Sequence, residues 1–191
     1  FQKNKSVMIL TPEISLTPQL VKSFDMVFKN SVVILHSNLS ESKRRKSWFK
    51  IIGTNRPLVV IGPRSALFAP LANIGLIVVD EAHEQSYKQE QSPRYHATRV
   101  AARLAQLNKA LLVLGSATPD ISDYFVIKAK GNSVLRMKGL ATGNKPSLKI
   151  SIISKTERPK FSRDPNVSDE LLDAIKDSLG KHEQSLIFLN R

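Results

Sequence analysis

Two short stretches hold side chains whose types and spacing suit joint chemistry. The first, Asp80-Glu81-Ala82-His83, ends the apolar run Ile74-Gly75-Leu76-Ile77-Val78-Val79. The second, Gly115-Ser116-Ala117-Thr118-Pro119, ends another apolar run, Leu111-Leu112-Val113-Leu114. Short runs of this kind fit strands buried on both faces of a parallel sheet, and open α/β sheets place their ligands beyond strand C-termini. Adjacent carboxylates there fit a nucleotide hydrolase, the first holding Mg²⁺ and the second orienting or deprotonating the attacking water. An ordinary core strand followed by a polar turn reads the same way, so the carboxylates alone decide little.

Such groups need a sheet to position them, and the chain alternates strand and helix signals. Residues 6–10 read as a strand that ends at Thr11-Pro12-Glu13. Thr17 offers an N-cap with Pro18 at the first helical position, where a missing N–H is harmless. Leu20, Val21, Phe24, Val27 and Phe28 then recur at helical spacing, predicting a helix over 18–28. Residues 32–35 form a second strand. Ser40 caps a helix with Trp48, Ile51 and Ile52 inward and Lys43, Arg44, Arg45 and Lys46 mostly outward. Residues 58–61 form a third strand, followed by Gly62-Pro63-Arg64-Ser65. After the Asp80-Glu81 strand comes a long polar loop, then a helix from about residue 97 with Val100, Leu104 and Leu107 on its face. Residues 111–114 make the fifth strand. Strands separated mostly by helices imply βαβ units, an α/β class and a mainly parallel sheet. Every polar segment of interest begins where a strand ends, so all should meet on one rim.

From about Asn132 the texture changes, with Gly131, Gly139, Gly143, Pro146, Pro159 and Pro165 interrupting the pattern. Ser168 begins another helix, its first-turn acids Asp169 and Glu170 complementing the helix dipole and Leu171, Leu172, Ile175 and Leu179 inward. Residues 185–189 read as the start of a fresh strand. The expected organisation is a first lobe over 1–130, a connection over 131–165 and the beginning of a second α/β lobe over 166–191. The chain opens on Phe1 without an initiator Met and ends in an apolar run, which reads as a piece of a longer protein.

Composition narrows the partners. No apolar segment approaches the roughly 20 residues that span a bilayer, and no signal-peptide pattern opens the chain. With no cysteine, the chain has neither a disulfide framework nor a thiolate zinc site. Lys and Arg number 29 against 16 Asp and Glu, a net charge of +13. That points to a polyanion, nucleic acid before an anionic membrane surface, with a generally solubilising surface as the bland alternative. The run Lys43-Arg44-Arg45-Lys46 is a tempting patch, but consecutive helical residues spread around the circumference. A merely solvated helix face fits it equally well.

Asp80-Glu81-Ala82-His83 followed one helix and one strand later by Ser116-Ala117-Thr118 resembles the Walker B (DEAH-type) and S-A-T motifs of superfamily 2 helicases. Other strings narrow the resemblance to the bacterial replication-restart helicases of primosome assembly: Thr11-Pro12-Glu13-Ile14-Ser15-Leu16-Thr17-Pro18-Gln19, Leu35-His36-Ser37, Gly62-Pro63-Arg64-Ser65-Ala66-Leu67-Phe68-Ala69-Pro70, Ser86-Tyr87-Lys88-Gln89, Pro93-Arg94-Tyr95-His96-Ala97 and Phe188-Leu189-Asn190-Arg191.

The resemblance implies a RecA-like lobe of the P-loop NTPase type, lacking its first strand and P-loop, and the start of a second such lobe. It implies ATP and Mg²⁺ as cofactors. Asp80 would bind Mg²⁺ and Glu81 would position the attacking water, while His83, Ser116 and Thr118 would connect the nucleotide site to the DNA path. Thr11, Pro12 and Glu13, with Arg64 and Ser65, would lie along the DNA strand and grip phosphates without reading sequence. The loop from Tyr87 to His96 would sense single-stranded DNA. Tyr87, Tyr95 and His96 offer flat faces to bases, and Lys88 and Arg94 offer charge to phosphates. The implied activity is 3′→5′ unwinding at stalled forks in a bacterial, nucleoid-associated cytoplasmic setting. The implied partners are single-stranded and forked DNA, primosome proteins and single-stranded-DNA-binding protein, with no membrane. Zinc is expected only outside this chain.

Two positions depart from the family pattern: Pro63 stands where Thr is usual, and Thr98-Arg99 where Arg-Asp is usual. No G-x-x-x-x-G-K-[ST] is present, and the family places that loop just upstream of Phe1. The chain alone is therefore expected neither to bind ATP tightly nor to hydrolyse it. Another superfamily 2 DNA translocase, or a non-enzymatic DNA-binding remnant, are the rival readings.

Overall fold

Five strands align side by side so that their C-termini form one rim. The computed structural model describes residues 4–12, 18–137, 139 and 149–188. In chain order the elements are β1 (Ser6–Leu10), α1 (Pro18–Phe28), β2 (Val32–Ile34), α2 (Glu41–Ile52), β3 (Val59–Gly62), β4 (Ile74–Val79), β5 (Lys88–Gln89), β6 (Tyr95–His96), α3 (Ala97–Asn108), β7 (Leu111–Leu114), α4 (Ile121–Ala129) and α5 (Asp169–Gly180). The main sheet has the order β2-β3-β1-β4-β7, and every neighbouring pair is parallel. Its register sets Gly62 beside Leu10, Leu10 beside Val79 and Val79 beside Leu114. With helices packed on the sheet, this is the RecA-like arrangement.

The core follows from strand alternation. Met8, Leu10, Val60, Ile77 and Val79 are buried and cluster with Ile51 of α2 and Ala97, Ala101 and Ala105 of α3. Those alanines fall at helical i, i+4, i+8 spacing, so the helix backbone can approach the sheet closely. Of the expected face of α3, Val100 and Leu104 pack half-buried against this core beside the alanine stripe, whereas Leu107 is exposed. On α2 only Ile51 is buried, while Trp48 and Ile52 are exposed. Leu20, Phe24 and Phe28 of α1 line a groove with Val7, Ile9, Leu76 and Val78 on the other sheet face, whereas Val27 is exposed.

Other expectations need adjusting. The polar loop after β4 contains the antiparallel pair β5–β6, too short to show alternation in the sequence. Helix α4 was not anticipated; Asp120 caps it, its carboxylate accepting from the Ser122 and Asp123 N–H groups. Thr17, the expected cap of α1, lies outside the described residues, as does Leu189. Residues 185–188 are not a strand, because strand conformation is stabilised by a neighbour and none pairs with them among the described residues.

The chain divides into two units, Phe1–Leu135 and Arg136–Arg191. In the second, Ser168 caps α5 by accepting from the Leu171 N–H at 3.2 Å. Leu172 and Ile175 are half-buried, whereas Leu171 and Leu179 are exposed. A turn over Arg158–Phe161 leads into Arg163, whose guanidinium donates to both Asp173 carboxylate oxygens at 2.7 and 2.8 Å. The Ser162 hydroxyl donates to Asp169 Oδ2. The Ser162 hydroxyl above all holds Asp169 below the usual carboxylate range, and the Arg163 hydrogen bond does the same for Asp173.

Because both folded pKa values are depressed, the stabilisation is complete above the unfolded carboxylate value of about 4. It is lost as pH falls through the lower folded values. Helicity of α5, followed by NMR from pH 6 to pH 2, should therefore fall off only in acid. An Arg163→Ala chain should show a weaker, less acid-shifted transition, and an unchanged one would remove this account.

Candidate functional site

Backbone hydrogen bonds stitch the two chemical segments together at the rim. The Asp80 N–H donates to the Leu10 carbonyl at 2.9 Å, the Gly115 N–H to Val79 at 2.8 Å, and the Ala82 N–H to Gly115 at 2.8 Å. A Cβ at position 115 would stand 3.4 Å from Asp80 Oδ1, which measures how closely the segment after β7 passes the carboxylate. Asp80 is exposed at the strand end, and its Oδ1 accepts from the Glu81 N–H at 3.0 Å. Glu81 sits in the left-handed region with φ +46°, where a side chain costs energy relative to glycine.

A second link runs through side chains. Ser116 Oγ lies 2.8 Å from His83 Nδ1 and accepts from the Thr118 N–H at 3.1 Å, while Glu81 Oε2 is 3.6 Å from the same ring nitrogen. A hydroxyl has one proton to give. When Ser116 donates it to Nδ1, the His83 proton sits on Nε2; the tautomer with its proton on Nδ1 would instead donate toward Ser116 and Glu81. Three of the five expected nucleotide-side residues, Glu81, His83 and Ser116, thus meet through their side chains, and the Asp80 carboxylate adjoins them through the Glu81 N–H and the Gly115 segment. Thr118 joins through its backbone N–H.

The expected DNA contacts divide. Tyr87 is 1% exposed, and its hydroxyl donates to the Asp80 carbonyl at 2.6 Å. Burial first, then the charges of Asp80, Glu81 and Glu84, raise its pKa above the ordinary phenol value. A buried ring cannot stack on a base, so Tyr87 supports the carboxylate turn from beneath instead. Thr11 is likewise buried, its hydroxyl directed at the Pro12 carbonyl at 3.4 Å, and Pro12 is buried beside it. Glu13 lies outside the described residues.

Arg64 was expected to grip phosphate. One of its nitrogens, Nη1, instead donates to the carbonyls of Ser86 and Lys88 at 2.5 and 2.9 Å. Those residues flank Tyr87, so Arg64 fastens the turn that buries the ring. No sequence signal marks this pairing across more than twenty positions. Arg64→Ala should speed amide hydrogen exchange over 86–89 by about tenfold while leaving the β1–β4 ladder protected, since the lost hydrogen bonds are local. Unchanged exchange in that turn would show that Arg64 holds nothing.

The residues left open to a polyanion are Ser65, Lys88, Arg94 and His96, all exposed. Lys88 lies 3.7 Å from Glu90, and Arg94 Nε donates to the Glu90 carbonyl at 3.0 Å. Tyr95 is half-buried, its ring edge-on to Phe68 at 5.2 Å, and pairs with Gln89 across the hairpin. His96 Nδ1 is 2.8 Å from the Thr98 hydroxyl, and Arg99 pairs with Asp123 of α4 at 3.1 Å. The two departures from the family pattern therefore find local partners. Pro63 likewise serves the turn Arg64–Phe68, its carbonyl accepting from the Ala66 N–H at 2.8 Å.

Among the described residues no group of three or more His, Cys, Asp or Glu could hold a metal ion. One exposed carboxylate at a strand end fits Mg²⁺ arriving with nucleotide phosphates, because Mg²⁺ keeps its waters and takes only one or two protein ligands. It does not fit zinc.

Comparison with known proteins places the chain in a family. Residues 1–124 match the DEAD/DEAH box helicase family. The chain is 39% identical over 189 residues to replication restart protein PriA of Bacillus subtilis, covering 99% of this chain and 23% of that protein. It is 40% identical over 188 residues to PriA of Helicobacter pylori, covering 98% and 28%. It is 41% identical over 193 residues to PriA of Chlamydia pneumoniae, covering 100% and 25%. The chain thus spans about a quarter of the length of these relatives. Similar to PriA from end to end and carrying both acidic and hydroxyl motifs on one rim, it belongs to the DEAD/DEAH box helicase family.

Proposed function

We infer that this chain carries part of the motor of an ATP-dependent 3′→5′ DNA helicase acting in replication restart. The observation that supports this most is the 2.8 Å contact between Ser116 and His83, which joins the hydroxyl segment after β7 to the carboxylate segment after β4. Asp80 is the residue to hold Mg²⁺ with the nucleotide phosphates, and Glu81 the one to orient and deprotonate water. The bound Mg²⁺–ATP supplies the charge to be stabilised and the phosphoryl bond to be broken. The chain's own residues orient these groups. Tyr87 and Arg64 fix the turn beneath Asp80, and His83 reads the position of Ser116 through one hydrogen bond. Lys88, Arg94 and His96, on the hairpin above the same turn, are placed for single-stranded DNA, so that tension on the hairpin reaches the carboxylates through Tyr87. Forked DNA, primosome proteins and single-stranded-DNA-binding protein are the partners this reading carries, in a bacterial cytoplasm.

The test uses the full-length gene product. Mg²⁺-dependent ATP hydrolysis stimulated by single-stranded DNA, with unwinding of forks that present a 3′ tail, is the expected result. The 191-residue chain by itself should show no turnover, since it holds no phosphate-cradling glycine-lysine loop. DNA-stimulated hydrolysis by the chain alone, or none by the full-length product, would refute the reading.

A further inference from the structure

We propose that Lys43, Lys46 and Lys50 on α2, with Lys29 beside them, form an auxiliary site for the sugar–phosphate backbone of DNA at the outer edge of the sheet. This rests on the DNA reading above but concerns a surface that neither the nucleotide motifs nor the hairpin uses. Of the basic residues on α2, Arg44 is turned toward the Ser37 carbonyl at 3.4 Å, and Arg45 pairs with Glu41 at 3.6 Å. Lys43, Lys46 and Lys50, three and four residues apart, share one helical stripe, and Lys50, like Arg44, donates to a backbone carbonyl and not to a carboxylate. All three are exposed. None forms an ion pair with a carboxylate among the described residues.

The direction of the stripe is fixed by Lys50, whose ammonium donates to the Val32 carbonyl at 3.2 Å. Val32 opens β2, the outermost strand of the sheet, and follows directly on the exposed turn that contains Lys29. The stripe thus looks outward past the sheet edge. Glu41, the one acid of α2, is occupied by Arg45. Ser40, the cap of α2, follows the C-terminus of β2, so Lys43 stands at the rim end of the patch. β4 lies three strand spacings away, about 14 Å.

Seven residues of helix rise about 10 Å, and one strand of a DNA duplex places a phosphate every 3.4 Å or so along its axis. Three ammonium groups over that length fall along a run of about four consecutive phosphates. Lysine is a compact point charge on a flexible stem, so the site reads charge and spacing and not base sequence. It would hold a nucleic-acid strand that reaches the rim and continues past the lobe.

The test compares the full chain with Lys43→Gln/Lys46→Gln and, as a control, Arg45→Gln, by fluorescence anisotropy with labelled single-stranded and duplex oligonucleotides from 50 to 300 mM salt. The double variant should bind about tenfold or more weakly at 0.1 M salt. Its slope of log K against log salt should fall by about 1.4 to 1.8, two phosphate contacts' worth. Arg45→Gln should leave that slope unchanged. The oligonucleotide that loses more affinity identifies the strand form held. Wild-type affinity and slope in the double variant would overturn this site while leaving DNA binding intact. Failure of the wild-type chain to bind either oligonucleotide, or binding only to phosphatidylglycerol vesicles, would overturn the DNA reading as well.

Discussion

Tyr87→Ala should destabilise the first unit by about 3–5 kcal/mol, the range for removing a large aromatic from a core. Tyr87 was expected on the DNA face, yet it is the largest fully buried side chain described and packs in the cluster that joins β1, β4 and α3. Tyr87→Phe keeps the ring and loses only the hydroxyl's bond to the Asp80 carbonyl, so it should cost about 1 kcal/mol. Urea unfolding of the three chains distinguishes these values, and a Tyr87→Ala chain within 1 kcal/mol of wild type would contradict the burial. Alkali supplies a second readout. The phenol's pKa is raised by folding, so its contribution is complete below the unfolded value of about 10. It is lost as pH rises toward the higher folded value. Tyr87→Phe should remove that part of the alkaline destabilisation.

The second large effect is chemical. In the full-length product, Glu81→Gln should lower the hydrolysis rate by about 10²–10⁴-fold, the usual contribution of a positioned general base, with ATP and DNA binding retained. Asp80→Asn should instead weaken Mg²⁺-dependent nucleotide binding, raising KM as well as lowering kcat. The distinction follows from position: Asp80 sits at the strand end against the Gly115 segment, whereas Glu81 reaches toward His83. Stopped-flow hydrolysis together with nucleotide binding measures both. A Glu81→Gln protein that keeps more than a tenth of the wild-type rate would exclude Glu81 as the base.

How much of this was legible in the sequence depends on the kind of signal. The five strands and α3 announce themselves by short apolar runs and helical spacing, and the register brings their ends together as βαβ logic requires. The polar termini at Asp80 and Ser116 were therefore readable as neighbours. Side-chain direction was not. Alanines at 97, 101 and 105 look unremarkable beside Leu104 and Leu107, yet small size is what allows α3 to approach the sheet, and it turns Leu107 outward. Thr11 and Tyr87, polar or amphipathic in a loop, read as ligand-facing, but the fold uses them as supports. Tyr87 can be buried because its single polar atom finds a carbonyl, a pairing that local sequence does not encode. Arg64 is the same case, its basic charge spent on two backbone carbonyls.

The left-handed turn at Glu81 carries a tension between durability and work. A residue with a Cβ at that dihedral costs on the order of 1–3 kcal/mol, which Gly or Asn would largely recover. A library of variants sorted only for yield or heat resistance should therefore drift at this position toward those two, producing sturdier proteins that no longer turn over. Enrichment at residue 81 under folding pressure, and depletion under selection for growth, would read out that conflict directly.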